Sequence, residues 1–135
     1  MKHEHRELLD ELLDQEQEGA RRVLVVDDHP SFRRCARAFL TAEGFDVAGE
    51  AGDGASALEL AAELEPDLVV LDVQLPDLDG FEVAARLLAR DPRLAIVLVS
   101  SRSAAEYGPL IERSGARGFL SKDELSAVAI RGLLA

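Results

Sequence analysis

Four apolar residues and a carboxylate form the run Leu68-Val69-Val70-Leu71-Asp72, and a turn-forming segment, Pro76-Asp77-Leu78-Asp79-Gly80, follows it. A short run that is apolar on both faces predicts a strand buried in a parallel sheet. Such a strand places Asp72 at the carboxyl edge of the sheet, where open α/β sheets bind ligands. Because a buried carboxylate costs free energy unless it is paired, we expect a polar partner for Asp72.

Strand and helix patterns alternate along the chain from Arg21 onward. Strands are predicted at residues 23–26, 45–51, 68–71, 95–99 and 118–120, and helices at 30–43, 55–64, 80–90, 104–113 and 123–134. These repeats, with short loops and right-handed crossovers, predict an α/β fold: a doubly wound (βα)5 parallel sheet with the flavodoxin-like strand order 2-1-3-4-5. No Gly-x-Gly-x-x-Gly or Walker A pattern follows the first strand, so we expect no dinucleotide or P-loop site.

Several side chains carry expectations that a structure can check. Gly108-Pro109 should disturb the middle of the fourth helix. We expect Val128 to face inward in the last helix and Cys35 to pack as a small apolar residue in the first. Turn and cap roles are predicted for Asp53, Asp77 and Asp79.

The composition is that of a globular domain and argues against several classes of protein. The 135 residues are 47% hydrophobic and 30% charged, which is ordinary for one domain. The net charge of −11 argues against direct nucleic-acid binding, which needs a basic face. No apolar run approaches the length of a membrane span, and the single cysteine permits no internal disulfide. We therefore expect a cytoplasmic protein with no membrane contact.

Residues 1–20 form an acidic N-terminal extension ahead of a domain at residues 21–135. The extension holds two basic and seven acidic residues, a net charge of −5. Its four leucines, at positions 8, 9, 12 and 13, fall on one helical stripe, although a helix of this length is marginal alone in water. The pattern leaves two alternatives open: a frayed tail, or a helix packed on the domain or on a second copy.

Polar residues follow the ends of four predicted strands. They are Asp27, Asp28, Asp72, Ser100 and Lys122. In a parallel sheet these ends meet at one edge, and three neighbouring carboxylates call for a divalent cation. Oxygen ligands suit Mg²⁺, with Mn²⁺ as an alternative. A cation, a lysine and a hydroxyl around a carboxylate predict phosphoryl transfer to Asp72.

Four motifs give the chain a resemblance to the receiver domain of bacterial two-component response regulators. They are Val25-Val26-Asp27-Asp28-His29, the segment 71–80, Val99-Ser100-Ser101, and the segment 115–122. The resemblance covers residues 21–135. It implies a signalling switch that takes a phosphoryl group from a phosphohistidine on a sensor histidine kinase or a phosphotransfer protein, and that turns over no external substrate as an enzyme would.

The resemblance also implies the roles of single residues. Asp72 would be the phosphoacceptor. Asp28 would bind Mg²⁺ directly, Asp27 would act through water, and the backbone carbonyl of Gln74 would be the third protein ligand beside Asp28 and Asp72.

The remaining implied roles concern the switch. Ser100 and Lys122 would bind phosphoryl oxygens, and Phe119 would be the aromatic switch residue. The output would pass through the fourth helix, the fifth strand and the fifth helix, at residues 104–134, to a downstream protein target or to a second copy.

Three departures from the family pattern bear on these expectations. Phe119 lacks the hydroxyl of the more usual tyrosine, and Ser100 replaces threonine. Asp123 replaces the frequent proline after the lysine, as in regulators that carry a helix-turn-helix output domain. We expect a stand-alone receiver; the alternative is the receiver part of a larger DNA-binding regulator.

Other interpretations of the same residues remain as alternatives. A phosphatase of the haloacid-dehalogenase type also uses an aspartate nucleophile, but it needs a second aspartate where this chain has Gln74. A degenerate receiver that only binds partners would not need the complete acid set with Lys122. Asp27 and Asp28 could instead cap the first helix, and His29 is expected to be a loop residue beside the site rather than a metal ligand.

Overall fold

Five parallel strands form the central sheet of the computed structural model, which describes residues 21–135. The strands are β1 (Arg22–Val26), β2 (Asp46–Ala51), β3 (Leu68–Asp72), β4 (Ala95–Ser100) and β5 (Gly118–Ser121). Their order across the sheet is β2-β1-β3-β4-β5, and every neighbouring pair is parallel. The predicted doubly wound, flavodoxin-like fold is confirmed. The predicted acidic extension at residues 1–20 lies outside the described residues.

Six helices and a 3-10 turn lie between and after the strands in this part of the chain. They are α1 (Pro30–Ala42), α2 (Gly54–Leu64), α3 (Gly80–Arg90), α4 (Ala104–Tyr107), α5 (Leu110–Arg113), the 3-10 turn Lys122–Glu124 and α6 (Ala127–Leu134). Asp53 and Asp79 accept hydrogen bonds from the Ser56 and Phe81 amides and so cap α2 and α3, as expected. None of these helices is long and apolar enough to cross a bilayer.

The core lies in two layers, one on each face of the sheet. Alternate residues of the central strands point to opposite faces, and almost all are fully buried. One layer packs β1, β3 and β4 against α1 and α6, and the other packs them against α2 and α3. Because both faces are covered, the buried residues of β1, β3 and β4 are apolar up to their carboxyl ends, where the polar residues Asp27, Asp72 and Ser100 stand.

Two helices bear on the sequence predictions. The fourth helix is interrupted as predicted: Gly108 has a positive φ of 56° and Pro109 follows it, so two four-residue helices replace one. The last helix begins at residue 127 rather than at 123, because the Ser126 side chain accepts the Ala129 amide hydrogen bond and sets its start.

Two burial predictions were wrong. With α6 starting at residue 127, Ala127 and Ile130 face the core, and Val128 is 75% exposed. In α1 the inward side belongs to Ala36 and Leu40, so Cys35 lies on the exposed side. In both helices the number of apolar residues leaves more than one possible inward face.

Candidate functional site

Acidic side chains from the ends of β1 and β3 converge at the carboxyl edge of the sheet. One ligand atom from each of Asp27, Asp28, His29 and Asp72 lies within 4.8 Å of the others. Asp27 is fully buried and Asp72 is 3% exposed, whereas the Asp28 side chain is 37% exposed. The structure therefore brings together the three predicted carboxylates, two of them out of contact with bulk water.

Backbone hydrogen bonds fix Asp27 at the end of β1. Its amide donates to the Ala51 carbonyl at 3.0 Å, and its Oδ1 accepts the His29 amide at 2.8 Å. The Arg33 side chain donates to the Asp27 carbonyl at 2.6 Å. The His29 ring nitrogen Nδ1 lies 3.1 Å from both Asp27 and Asp28, and its side chain is 65% exposed. His29 is the N-cap residue of α1, and the aspartates make no capping hydrogen bond there.

The loop from β3 to α3 holds Asp72 in a similar way. Asp72 Oδ1 accepts the Gln74 amide at 3.1 Å, and the Gly80 amide donates to the Val73 carbonyl at 2.8 Å. Farther along the loop, Asp77 accepts the Gly54 and Ala55 amides at 2.7 and 2.9 Å. This carboxylate caps the start of α2 from another part of the chain, and these hydrogen bonds lower its pKa below 3.8.

Lys122 supplies the positive charge of the site. Its ammonium lies 2.6 Å from Asp27 Oδ2 and 3.4 Å from Asp72 Oδ2, and 4.7 Å from the centre of the Phe32 ring. Burial alone would lower the pKa of Lys122, but the contact with Asp27 and the charges of both aspartates raise it above 10.5. The lysine is therefore a fixed cation between two carboxylates.

The pKa of Asp72 is raised from 3.8 to about 6. Burial is the main cause, and the charge of Asp27 adds to it, while the Gln74 amide and Lys122 act in the opposite direction. At neutral pH the carboxyl group is mostly ionised, but its ionisation is less favourable than that of an exposed aspartate. An additional cation or a bond to this oxygen would relieve that cost.

The donor set fits a hard divalent cation. Asp27 Oδ2 is buried and has no aligned hydrogen-bond donor, although the Lys122 ammonium stands close to it. Three carboxylates within a few ångströms are the ligands that Mg²⁺ and Mn²⁺ prefer. Gln74, whose backbone carbonyl was predicted as a further ligand, directly contacts Asp72 through its amide.

Ser100 lies at the end of β4, fully buried, and its hydroxyl has a partner that the sequence did not reveal. Ser100 Oγ is 2.7 Å from the Tyr107 hydroxyl and accepts the Arg102 amide at 3.1 Å. The Tyr107 ring lies 5.7 Å from Phe119 and 5.6 Å from Phe81. Tyr107 was missed because it belongs to an interrupted helix. Its one sequence signal is that it is the sole tyrosine of the chain.

Gln74 and Arg102 stand together at the mouth of the site. With the Gln74 side-chain amide oriented so that its oxygen faces the guanidinium, this oxygen accepts hydrogen bonds from Arg102 Nε at 3.2 Å and Nη2 at 3.3 Å. That orientation is assigned from the hydrogen-bonding pattern. Both residues are exposed, and the backbone amide of Gln74 joins this pair to Asp72.

Comparison with known proteins gives consistent similarities. The family model of the response regulator receiver domain matches residues 23–131. A putative transcriptional regulator of Pseudomonas aeruginosa is 40% identical over 103 residues, which are 76% of this chain and 50% of that protein. The chemotaxis protein CheY of Thermotoga maritima is 34% identical over 104 residues, which are 76% of this chain and 85% of that protein.

Solved structures of receiver domains are also similar to this chain. The signal receiver domain of the putative response regulator NarL from Mycobacterium tuberculosis superposes with a TM-score of 0.75 at 35% identity, covering 86% of this chain and 98% of that one. The chain spans about half the length of the transcriptional regulators that it matches.

Proposed function

The chain belongs to the response regulator receiver domain family, and we propose that it is a phosphorylation-dependent signalling switch of a two-component system. In this proposal residues 21–135 are the receiver, Asp72 accepts the phosphoryl group, and the donor is a phosphohistidine on a sensor histidine kinase or a phosphotransfer protein. The protein acts in the cytoplasm. Its only catalysis is its own phosphorylation and dephosphorylation.

One observation carries the proposal. Asp72 is buried between an acidic pair and a lysine, with Lys122 Nζ 3.4 Å from Asp72 Oδ2 and the ligand atoms of Asp27 and Asp28 within 4.8 Å of it. This arrangement pairs a nucleophilic carboxylate with the charges that a transferring phosphoryl group requires.

The transfer follows from these groups. A carboxylate oxygen of Asp72 attacks phosphorus, an O–P bond forms, and the N–P bond of the donor breaks. The donor imidazole leaves with the bonding electron pair and recovers a proton from solvent. Lys122 binds one phosphoryl oxygen, and the Ser100 hydroxyl donates to another. Because the carboxyl pKa is about 6, Asp72 is in its nucleophilic, ionised form at neutral pH.

Asp28, Asp72 and the backbone carbonyl of Gln74 would hold Mg²⁺, or Mn²⁺, with Asp27 acting through water. When bound, the cation neutralises the charge of the carboxylates and the phosphoryl oxygens. The burial of Asp27 against Lys122 and the partial exposure of Asp28 support this division of roles.

Two settings use the same transfer reaction. A stand-alone receiver would pass its state to a separate protein target, as the match to the chemotaxis protein suggests. A receiver within a longer DNA-binding regulator would pass it to an attached domain, as the half-length matches suggest. In both settings the receiver itself contacts no nucleic acid.

The direct test is incubation with acetyl phosphate and Mg²⁺, followed by mass spectrometry. We expect a gain of one phosphate that hydroxylamine removes, since an acyl phosphate is the product. Asp72→Asn should abolish the gain. Asp77→Asn, in the same loop, is the matched control and should retain it. Label persisting on the Asp72 variant would show that another residue is the acceptor.

The alternative of a haloacid-dehalogenase-type phosphatase predicts a different result. That chemistry would give steady turnover of an external phosphate ester. Gln74 stands where that mechanism needs a second aspartate, and its side chain contacts Arg102. Release of phosphate from a phosphate ester, above that of the Asp72→Asn control, would favour the phosphatase.

A further inference from the structure

Tyr107 joins three elements that surround the site. Its hydroxyl lies 2.7 Å from Ser100 Oγ in β4. Its ring packs edge-on against Phe81 in α3, with the ring centres 5.6 Å apart, and lies tilted against Phe119 in β5, at 5.7 Å. Between residues 101 and 110, Tyr107 is the one side chain that is not exposed. The segment that contains α4 is therefore attached to the domain mainly through this tyrosine.

The helix that carries Tyr107 has little stability of its own. It is four residues long, has no buried residue, and ends at Gly108 with a positive φ of 56°. Pro109 follows and cannot continue the hydrogen-bonding pattern. A single helical turn is unfavourable without tertiary contacts, so the position of α4 depends on what Tyr107 contacts.

The Ser100 hydroxyl already makes hydrogen bonds with Tyr107 and with the Arg102 amide. It accepts the Arg102 amide at 3.1 Å and shares a hydrogen bond with Tyr107. A serine side chain occupies discrete staggered rotamers. Turning Ser100 to donate to a phosphoryl oxygen on Asp72 would move Oγ away from its present partners. Phe119 has no hydroxyl, so the aromatic hydroxyl bonded to Ser100 comes from α4 and not from β5.

We propose that Tyr107 is a positioning residue that holds the Ser100 hydroxyl in its resting orientation, and that capture of this hydroxyl by a phosphoryl group on Asp72 releases Tyr107 and, with it, α4. This inference rests on the proposed function, since it requires a phosphoryl group at Asp72. It adds a direct link between Asp72 occupancy and the hydrogen bond that, together with the ring contacts of Tyr107, anchors α4.

The chain offers a specific spectroscopic probe of this link. Tyr107 is the only tyrosine, and there is no tryptophan, so intrinsic fluorescence reports on this residue alone. Beryllofluoride with Mg²⁺, with fluorine NMR to verify that it is bound, should change the emission of the wild-type protein. Ser100→Ala should show altered emission before the addition and no further change after it. Unchanged emission from wild-type protein with bound beryllofluoride overturns the inference.

The hydroxyl can be removed without the ring. Tyr107→Phe keeps the contacts with Phe81 and Phe119 and deletes only the bond to Ser100. We expect about a 2- to 10-fold faster uptake of phosphate from acetyl phosphate, which is what the loss of one neutral hydrogen bond would give. A purely structural role for Tyr107 predicts an equal or slower rate. Glu106→Ala, on the exposed side of the same helix, should keep the wild-type rate.

The results distinguish a failure of this inference from a failure of the proposed receiver function. If wild-type protein takes up no phosphate at Asp72, the proposed function and the inference both fail. If Asp72 is phosphorylated normally, but Tyr107→Phe matches the wild-type rate, the inference alone is wrong and the receiver function stands.

Discussion

Gly80 lies so close to the backbone of Asp72 that a Cβ atom at position 80 would stand 2.4 Å from the Asp72 carbonyl oxygen and 2.6 Å from Val73 Cα. Backbone atoms cannot give way as the end of a flexible side chain can. The Gly80 amide also donates to the Val73 carbonyl. The first residue of α3 is thus fixed against the proposed phosphoacceptor, and a side chain there would displace it.

Gly80→Ala should therefore harm both stability and phosphate uptake. Forcing one methyl group into this space should cost about 1–3 kcal/mol, measured by urea unfolding. Gly132→Ala is the matched control, because nothing lies within 4 Å of a Cβ at that helical position. It should gain about 0.5–1 kcal/mol. Equal stability of Gly80→Ala and wild type would contradict the close contact.

The raised pKa of Asp72 predicts a pH-dependent cost. Since its pKa is about 6 in the folded state and 3.8 in the unfolded chain, the folded state binds the proton more tightly. The penalty is absent below pH 3.8, grows as pH rises to about 6, and is constant above it. Asp72→Asn should therefore be more stable than wild type at pH 7.5 in EDTA, by about 1–2 kcal/mol after allowance for solvent screening. The gain should vanish below pH 3.8.

Asp77 provides a control of opposite sign. Its pKa is lowered below 3.8 by the Gly54 and Ala55 amides, so its contribution to stability is present above that pH and is lost as pH falls through the folded-state pKa. Asp77→Asn should be less stable than wild type at neutral pH, with a difference that shrinks on acidification. Parallel pH profiles for the two variants would refute this account of the site.

Mg²⁺ should stabilise the fold. Asp27, Asp28 and Asp72 repel one another, and a cation that binds only the folded protein adds stability with occupancy, about 2.7 kcal/mol at 100 times the dissociation constant. Thermal melts with and without millimolar Mg²⁺ measure this. Asp28→Ala should abolish the difference and block phosphorylation. Asp46→Ala, which removes an exposed carboxylate on β2, should retain it.

How far the sequence predicts the molecule can be judged at particular residues. The strands were predictable because burial on both faces requires an unbroken apolar run such as Leu68–Leu71. The carboxylates and Lys122 were expected together because parallel strands end at one edge. Tyr107 and the outward position of Val128 were not predicted. Both depend on where short helices begin and end. The hydrogen bond of the Ser126 side chain sets the start of α6 and so the direction of Val128, and the positive φ of Gly108 ends α4 just after Tyr107.

The last prediction concerns the surface that we propose transmits the signal. This proposed output face, residues 104–134, comprises α4, α5, β5 and α6, and it presents Leu110 at 49% and Val128 at 75% exposure. Release of Tyr107 would loosen α4 at the edge of this face. A partner that reads the switch needs different affinities for the two states, and a coupling of about 1–3 kcal/mol would be ordinary.

Amide hydrogen exchange with and without beryllofluoride tests this prediction. We expect changed protection across residues 104–134, largest at α4, because its single turn has no buried residue and is attached through Tyr107. Ser100→Ala should still take phosphate on Asp72, since its hydroxyl is not the nucleophile, but it should lose the exchange response of α4. Asp53→Ala, at the cap of α2, should keep both. If protection changes stay within the loops at Asp28 and Asp72, the signal leaves the site by another route.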